Sequence, residues 1–417
     1  MAKYDTQDAS PKTEKAALPK TQEGFPGFIN TVLQRYFKIR VQQSWKGTHI
    51  LKGKIPTVNA LSLASNDYLS ISHHPQLINA QIQAMQQHGN GSMQSPVFLS
   101  DDSLLTASEQ QFATLTNYPA ALLSQSGWCA NMGLIQALAS RNLPVYLDFY
   151  THMSFWEGAK AANARPIPFR HNSVQSLRKR LERYGSGIIA VDSIYSTLGT
   201  LSPLGDYVRL AKEFDCILVV DESHSLGING LNGSGLVAEL GLSNQVDVIT
   251  ASLAKAISGR GGVIVANRNL IELVRYTALP TIFSSALAPH DLSGFNASLA
   301  IIAKEKWRRA KLHDNAAFLR NALLKNGFNL GGSNSQIIPL ITGSEANTIW
   351  LRNKLEEADI HGAVFCAPAT PKNKALIRLS VSANHQPEQL AKVVDCLLQL
   401  NREERDLPLF TGFQDLI

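Results

Sequence analysis

Apolar and polar positions alternate along this chain in two rhythms. From about residue 60 onward, apolar runs of strand length recur at Ala121–Ser124, Pro144–Asp148, Gly187–Asp192, Cys216–Asp221, Asp247–Ser252 and Gly262–Ala266. Amphipathic stretches with helical spacing separate them. This alternation predicts an α/β fold: a mostly parallel sheet covered by helices on both faces. A helical stretch near 291–327 leads out of that unit. Beyond about residue 328, strand-like (335–340) and helical (388–400) patterns mix, as expected of a smaller α+β domain. Residues 28–45 space apolar side chains at helical intervals. Residues 1–24 are polar, rich in lysine and without apolar period, and read as a mobile leader. The expected division is a leader and helix over 1–59, a large domain over 60–295 and a small C-terminal domain over 296–417. No internal repeat interrupts this pattern.

Composition narrows the function classes. With 44% hydrophobic residues in 417, the chain can bury a sizeable core. No apolar run approaches the roughly 20 residues of a membrane span, and the N-terminus has no apolar segment of a secretory signal. The four cysteines, Cys129, Cys216, Cys366 and Cys396, form no CxxC pair. A cysteine metal cage or a disulfide framework is therefore not expected, and a reducing cytoplasm fits. The net charge of +6 is modest and unclustered. It suits a phosphorylated small molecule at least as well as nucleic acid, and no nucleic-acid partner is expected.

The strand ends carry the chemistry. In open α/β sheets ligands bind beyond the carboxyl ends of the strands, and Asp148, Asp192, Asp221 and Ser252 all stand there. Asp221-Glu-Ser-His224 follows the run Ile217–Val220, so a carboxylate and an imidazole can face one crevice. Ser252-Leu-Ala-Lys255 follows another strand. A lysine there is costly to bury, and desolvation with nearby cations is how proteins make a reactive amine. Taken alone, Lys255 reads as a solvated loop residue and Asp221 as a helix cap. Gly233-Ser-Gly235-Leu-Val-Ala238 fits a dinucleotide-binding fingerprint, but the preceding strand ends near Val220, too early for that role.

An ordered set of motifs accompanies these two. It comprises Asn66-Asp-Tyr-Leu69 with His74-Pro75, Ser126-Gly-Trp-Cys-Ala-Asn131, Asp148-x-x-x-His152-x-Ser154 and Ser196-x-x-Gly199. It continues with DESHSLG at 221–227, SLAK at 252–255 with Gly261-Gly262, FSS at 283–285 and IRLSVSANH at 377–385. Over about residues 60–400 this set resembles the pyridoxal-phosphate enzymes of fold type I. More closely it is similar to the α-oxoamine synthases, which condense an amino acid with an acyl-CoA. The common synthases carry a Gly-Ser-Arg where this chain has Gly91–Ser100, and the Arg is absent. With DESHS for the usual DEAHA, Ala254 before the lysine, and the segments SQSGW, DFYTHMSFWEGA, VDSIYSTLGT and VFCAPAT, the chain most resembles one branch. That branch is the bacterial α-hydroxyketone and aminoketone autoinducer synthases of the cholera quorum-sensing type.

The resemblance implies pyridoxal 5'-phosphate held as a Schiff base by Lys255, which also moves the α-proton. It implies that Asp221 pairs with the pyridine nitrogen, His152 stacks on the ring, and Ser196 and His224 bond the ring hydroxyl. Ser126, the backbone of Gly127 and Trp128, and Ser252 would meet the phosphate. Ser284 and Ser285 would reach the phosphate of a homodimer partner, or merely cap a helix. Arg378 would grip the substrate carboxylate. Asn66 and Tyr68 would line the substrate pocket or simply build a turn. Met93, Phe98 and Leu99 fit ordinary packing or an acyl tunnel. The implied substrates are an acyl-CoA and a small 2-amino acid or S-adenosylmethionine, with no metal. The alternatives are another α-oxoamine synthase, of the 8-amino-7-oxononanoate synthase or 2-amino-3-ketobutyrate CoA ligase type, and a fold-type-I aminotransferase.

Overall fold

The computed structural model describes residues 25–402 and 407–410; the expected leader lies outside them. Seven strands build the main sheet: β2 (Ala120–Ser124), β3 (Pro144–Asp148), β4 (Arg165–Phe169), β5 (Ile188–Asp192), β6 (Ile217–Asp221), β7 (Val248–Ser252) and β8 (Gly262–Ala266). Their order is β2-β8-β7-β6-β5-β3-β4. Only β8 runs against its neighbours, pairing antiparallel with both β2 and β7. The strands read as unbroken apolar runs because both faces are covered. Tyr146, Ile189, Val220 and Ile249 belong to the principal core, while Val145, Ile188, Val219 and Val248 pack into a second core on the opposite face.

A second sheet has the order β1-β10-β11-β9, with β1 at Leu61–Leu63, β9 at Ile337–Gly343, β10 at Ile360–Phe365 and β11 at Ala375–Ser380. Its membership departs from the division expected at residues 59 and 295. β1 lies in the N-terminal third yet pairs in parallel with β10, Leu61 opposite Ile360. Long-range pairing of so short a strand leaves no local trace. Ile338, Leu340 and Leu379 of this sheet share the principal core with the main sheet.

The helix expected over 28–45 forms as Gly27–Gln34 and continues through Arg35–Ser44 in wider π geometry. It is anchored at its end, where Trp45 and Ile50 pack with Cys366 and Ala375. The helical stretch near 291–327 divides into Pro289–Lys304 and Trp307–Lys325. The first of these sets Phe295, fully buried, against the loop that follows Lys255. A Cβ at Gly259 would stand 2.4 Å from its ring and one at Gly261 2.8 Å from it. Truncating Phe295 to Ala should leave a cavity under that loop and cost about 3–5 kcal/mol of stability. A urea midpoint lowered at unchanged slope is the expected reading; an unchanged midpoint would contradict this packing role.

Candidate active site

Beyond the carboxyl ends of β5, β6 and β7 lies a cavity of about 650 Å³. Strand-end and loop residues of the main sheet line it: Gly127, Trp128, His152, Ser196, Asp221, His224, Ser252 and Lys255. From the other side come Asn66 and, on β11, Arg378. Both sheets are therefore needed to close it. A larger hollow of about 850 Å³ elsewhere is lined by uncharged side chains and holds none of the predicted site residues.

Asp221 is buried and held at both oxygens. The backbone N–H of Ser223 donates to Oδ1 at 2.8 Å, and Asn131 Nδ2 donates to Oδ2 at 2.7 Å. Asn131 also reaches Ser154 Oγ at 3.0 Å, and Ser154 Oγ lies 2.7 Å from His152 Nδ1. His152 caps the helix Met153–Ala161 and meets the Trp128 ring edge-on, with centroids 5.9 Å apart. Its imidazole is held below the usual range, first by burial and then by the Lys255 cation, against the pull of Asp221.

His224 is held further down, well below the ordinary histidine range. Burial dominates, and Lys255, Arg378 and His152 add to it. Its Nδ1 lies 2.7 Å from the hydroxyl of Tyr68. Burial pushes that phenol up to about 12, with Arg378 opposing, so the phenol keeps its proton and can donate to Nδ1. Arg378 is 5% exposed and sits over the Phe365 ring at 4.7 Å. It donates to the Ser196 carbonyl at 2.9 Å and to Asn66 Oδ1 at 2.8 Å. Its buried Nε has no partner, and among the described residues no carboxylate pairs with it. The Lys255 amine is lowered by burial and by Arg378, against Asp221.

Ser126 opens the helix Gly127–Leu138, its Oγ accepting from the Cys129 N–H at 3.1 Å. This helix start presses against the ends of β7 and β8. A Cβ on Gly127 would lie 2.6 Å from the Ser252 Cβ, and one on Gly262 2.3 Å from the Ser126 carbonyl oxygen. The result is a close-set ring of backbone N–H groups and hydroxyls at a helix N-terminus, suited to a phosphate.

Other predicted positions fall outside the cavity wall. Ser284 and Ser285 do not line it, and the Ser285 carbonyl accepts from Gln125 Nε2 at 2.8 Å. Asp148 does not line it either. Its carboxylate accepts from the N–H groups of Tyr150 and Asn172, both at 2.8 Å, and meets His171 Nδ1 at 2.9 Å, so it ties loops together. Met93 and Phe98 are exposed, whereas Leu99 packs on the principal core. Gly235 backs onto the buried Glu222, where a Cβ would lie 2.0 Å from Oε2. The glycines of that fingerprint thus serve close packing. The links made by Asn131, Ser154 and Tyr68 carry no local sequence signal beyond their place inside the quoted motifs.

This donor set fits pyridoxal phosphate. A carboxylate fixed at both oxygens, an amine without a hydrogen-bond partner among the described residues, and the start of a helix set so close on β7 that a Cβ at Gly127 would collide with Ser252 surround one cavity. The Arg378 guanidinium, buried and without a carboxylate partner among the described residues, lines the same cavity and adds a place for a substrate carboxylate.

Residues 58–397 match the family model of aminotransferase class I and II. The chain is 45% identical over 366 residues to the CAI-1 autoinducer synthase of Vibrio campbellii, covering 88% of this chain and 93% of that one. It is 35% identical over 344 residues to a putative 8-amino-7-oxononanoate synthase of Rippkaea orientalis, covering 82% and 89%. In structure it is similar to a serine palmitoyltransferase from S. paucimobilis with bound pyridoxal phosphate and myriocin. That match has a TM-score of 0.80 and 26% identity, over 90% of this chain and 97% of that one. The chain belongs to the aminotransferase class I and II family and has the fold of its fold-type-I, pyridoxal-phosphate-dependent members.

The depressed His224 has a sign that can be checked. Its folded ring binds a proton less readily than the unfolded one. Its stabilising contribution is therefore whole above about pH 6.5 and is lost as pH falls below it. Between pH 7 and pH 5 this amounts to as much as about 2 kcal/mol. Wild type should lose up to that much more stability on acidification than His224→Gln, read by urea unfolding at both pH values. Equal losses would place a charged ring in the folded site.

Proposed function

We propose that this chain catalyses the decarboxylating condensation of an acyl-CoA with a small 2-amino acid or S-adenosylmethionine. The product is a long-chain aminoketone, the precursor of an α-hydroxyketone signal molecule. One observation carries the reading: Asp221, Lys255 and an unpaired Arg378 converge on one cavity. The V. campbellii relative, at 45% identity over most of both chains, supports the choice of product. The relative named as a putative 8-amino-7-oxononanoate synthase keeps a second reading in view, with a different acyl donor on the same chemistry.

Pyridoxal phosphate, when bound, supplies an electron sink for the negative charge that develops at the substrate α-carbon. Asp221, fixed at both oxygens, is the carboxylate that keeps the pyridine nitrogen protonated. Lys255 holds the cofactor covalently at rest; once freed, its amine takes the α-proton at Nζ. A lowered lysine pKa suits that duty near neutral pH. Arg378, on the cavity wall, orients the substrate carboxylate through its guanidinium. Ser196 and His224 would bond the ring hydroxyl, and His152 would cover the ring. Ser126, Gly127, Trp128 and Ser252 would hold the phosphate. In the balance, a carbon–carbon bond forms between the α-carbon and the acyl carbon. The thioester bond breaks and CoA leaves, taking up a proton as the thiol; the bond to the carboxylate breaks as CO₂ leaves, and a proton returned to the α-carbon takes its place.

Ser284 and Ser285, away from this cavity, serve a partner's phosphate in this reading, and the working unit is a homodimer with a shared site. Among the described residues no helix is long and apolar enough to cross a membrane. Activity in the cytoplasm fits the free cysteines and the acyl-CoA donor.

Lys255→Ala should retain bound cofactor while thiol release from acyl-CoA falls to background; turnover at the wild-type rate would overturn the assignment. Arg378→Lys should raise KM for the amino donor about 10- to 100-fold, the worth of one charge-assisted contact, with KM for acyl-CoA unchanged. A rise confined to acyl-CoA would place the guanidinium on the other substrate.

A further inference from the structure

The hydrogen bonds around His152 run in one direction. As a carboxylate, Asp221 only accepts, so its Oδ2, 2.7 Å from Asn131, faces the amide nitrogen and not the amide oxygen. The second hydrogen of that Nδ2 goes to Ser154 Oγ at 3.0 Å. Ser154, accepting there, directs its own proton to His152 Nδ1 at 2.7 Å. The backbone N–H of Ser154 approaches the same ring nitrogen at 3.4 Å, a contact that only a lone pair answers. Nδ1 is an acceptor on both counts, so the proton of the neutral ring sits on Nε2. Nε2 has no hydrogen-bond partner among the described residues, and the ring lines the cavity.

We propose that Asn131 and Ser154 are positioning residues that lock His152 as its Nε2–H tautomer, with Asp221 setting the direction of the chain. His152 then offers the cavity an N–H donor and no lone pair. It can hold a ligand oxygen by a hydrogen bond but cannot take a proton from substrate through Nε2. Proton movement is left to Lys255. The four groups come from three separate segments and meet at the ends of two helices and β6: Asn131 in Gly127–Leu138, His152 and Ser154 at the start of Met153–Ala161, Asp221 closing β6. All but His152 are 4% exposed or less. Few rearrangements are open to them.

One other arrangement keeps the chain's three side-chain hydrogen bonds, at the loss of the Ser154 N–H contact to Nδ1; the present one leaves Asn131 Oδ1 buried without a partner. If residue 221 donates, the Asn131 amide turns over and its oxygen accepts from both 221 and Ser154. Ser154 then accepts from a protonated Nδ1. Replacing Asp221 by its amide should therefore reverse the chain and move the His152 proton across the ring. The use of the donor in catalysis rests on the synthase reading, whereas the tautomer does not.

The test is side-chain nitrogen NMR of the full chain labelled with ¹⁵N-histidine, with and without bound cofactor. The His152 pair is identified by its loss in His152→Gln. Wild type should show protonated Nε2 and unprotonated Nδ1. Ser154→Ala should shift the pair toward an averaged position, Ser154→Thr should keep the wild-type pattern, and Asp221→Asn should give the reversed one. A wild-type ring protonated on Nδ1, or a Ser154→Ala pattern identical to wild type, would overturn the lock. An Asp221→Asn pattern that stays as in wild type would overturn the role given to Asp221. An intact Nε2–H pattern in a protein that releases no CoA would count against the proposed function and leave the lock standing.

Discussion

The site is governed by the cost of burying positive charge. Lys255 and Arg378 are both removed from most solvent, and Arg378 has no carboxylate partner among the described residues. An ammonium or guanidinium in such a place is stabilised by a carboxylate within reach, as Asp221 is for Lys255, by anions brought from elsewhere or by neutral acceptors. Arg378 makes do with the Ser196 carbonyl and the Asn66 side chain, leaving Nε vacant. The two histidines are held below their ordinary range first by burial, with the neighbouring cations adding to it. A cavity built this way is set for ligands that carry phosphate and carboxylate groups; of the two carboxylates on its wall among the described residues, Asp221 is braced by Ser223 and Asn131, and Asp192 accepts from the His152 N–H.

The scaffold serves that arrangement by placing strand ends and the loops that follow them around the ligand space. Parallel strands β5 and β6 end level with each other, Asp192 opposite Asp221, and β7 ends beside them. The helix from Gly127 comes close to Ser252 because no Cβ intervenes. The second sheet brings Arg378 across from the opposite side. In the proposed reading the substrate carboxylate and the cofactor ring would be gripped by different sheets, whose relative position depends on the shared core between them.

Much of this was legible in the sequence, for a physical reason. Strands buried on both faces read as continuous apolar runs, so β3, β5, β6 and β7 stand out, and so do the polar residues that end them. β4, Arg165-Pro-Ile-Pro-Phe169, carries no such signal; it lies at the sheet edge, where proline is tolerated. β1 is invisible locally because its pairing lies across nearly the whole chain. Lys255, Asp221 and His224 declare themselves by position after a strand, and Arg378 by standing inside an apolar run. Asp148 shares the strand-end position but turns to the neighbouring loop, a choice that spacing does not encode. Asn131 escapes for the opposite reason: its role exists only once Asp221, 90 residues away, is 2.7 Å from it.

The family is settled by the match over residues 58–397, and the particular condensation is the claim that most needs a direct reading. That reading is thiol release from cofactor-loaded protein mixed with acyl-CoAs of graded length and a panel of amino donors, with product masses recorded in parallel. Release of CoA together with a long-chain aminoketone is the result expected. Bound cofactor with no CoA release from any pairing would contradict it and point to amino transfer instead.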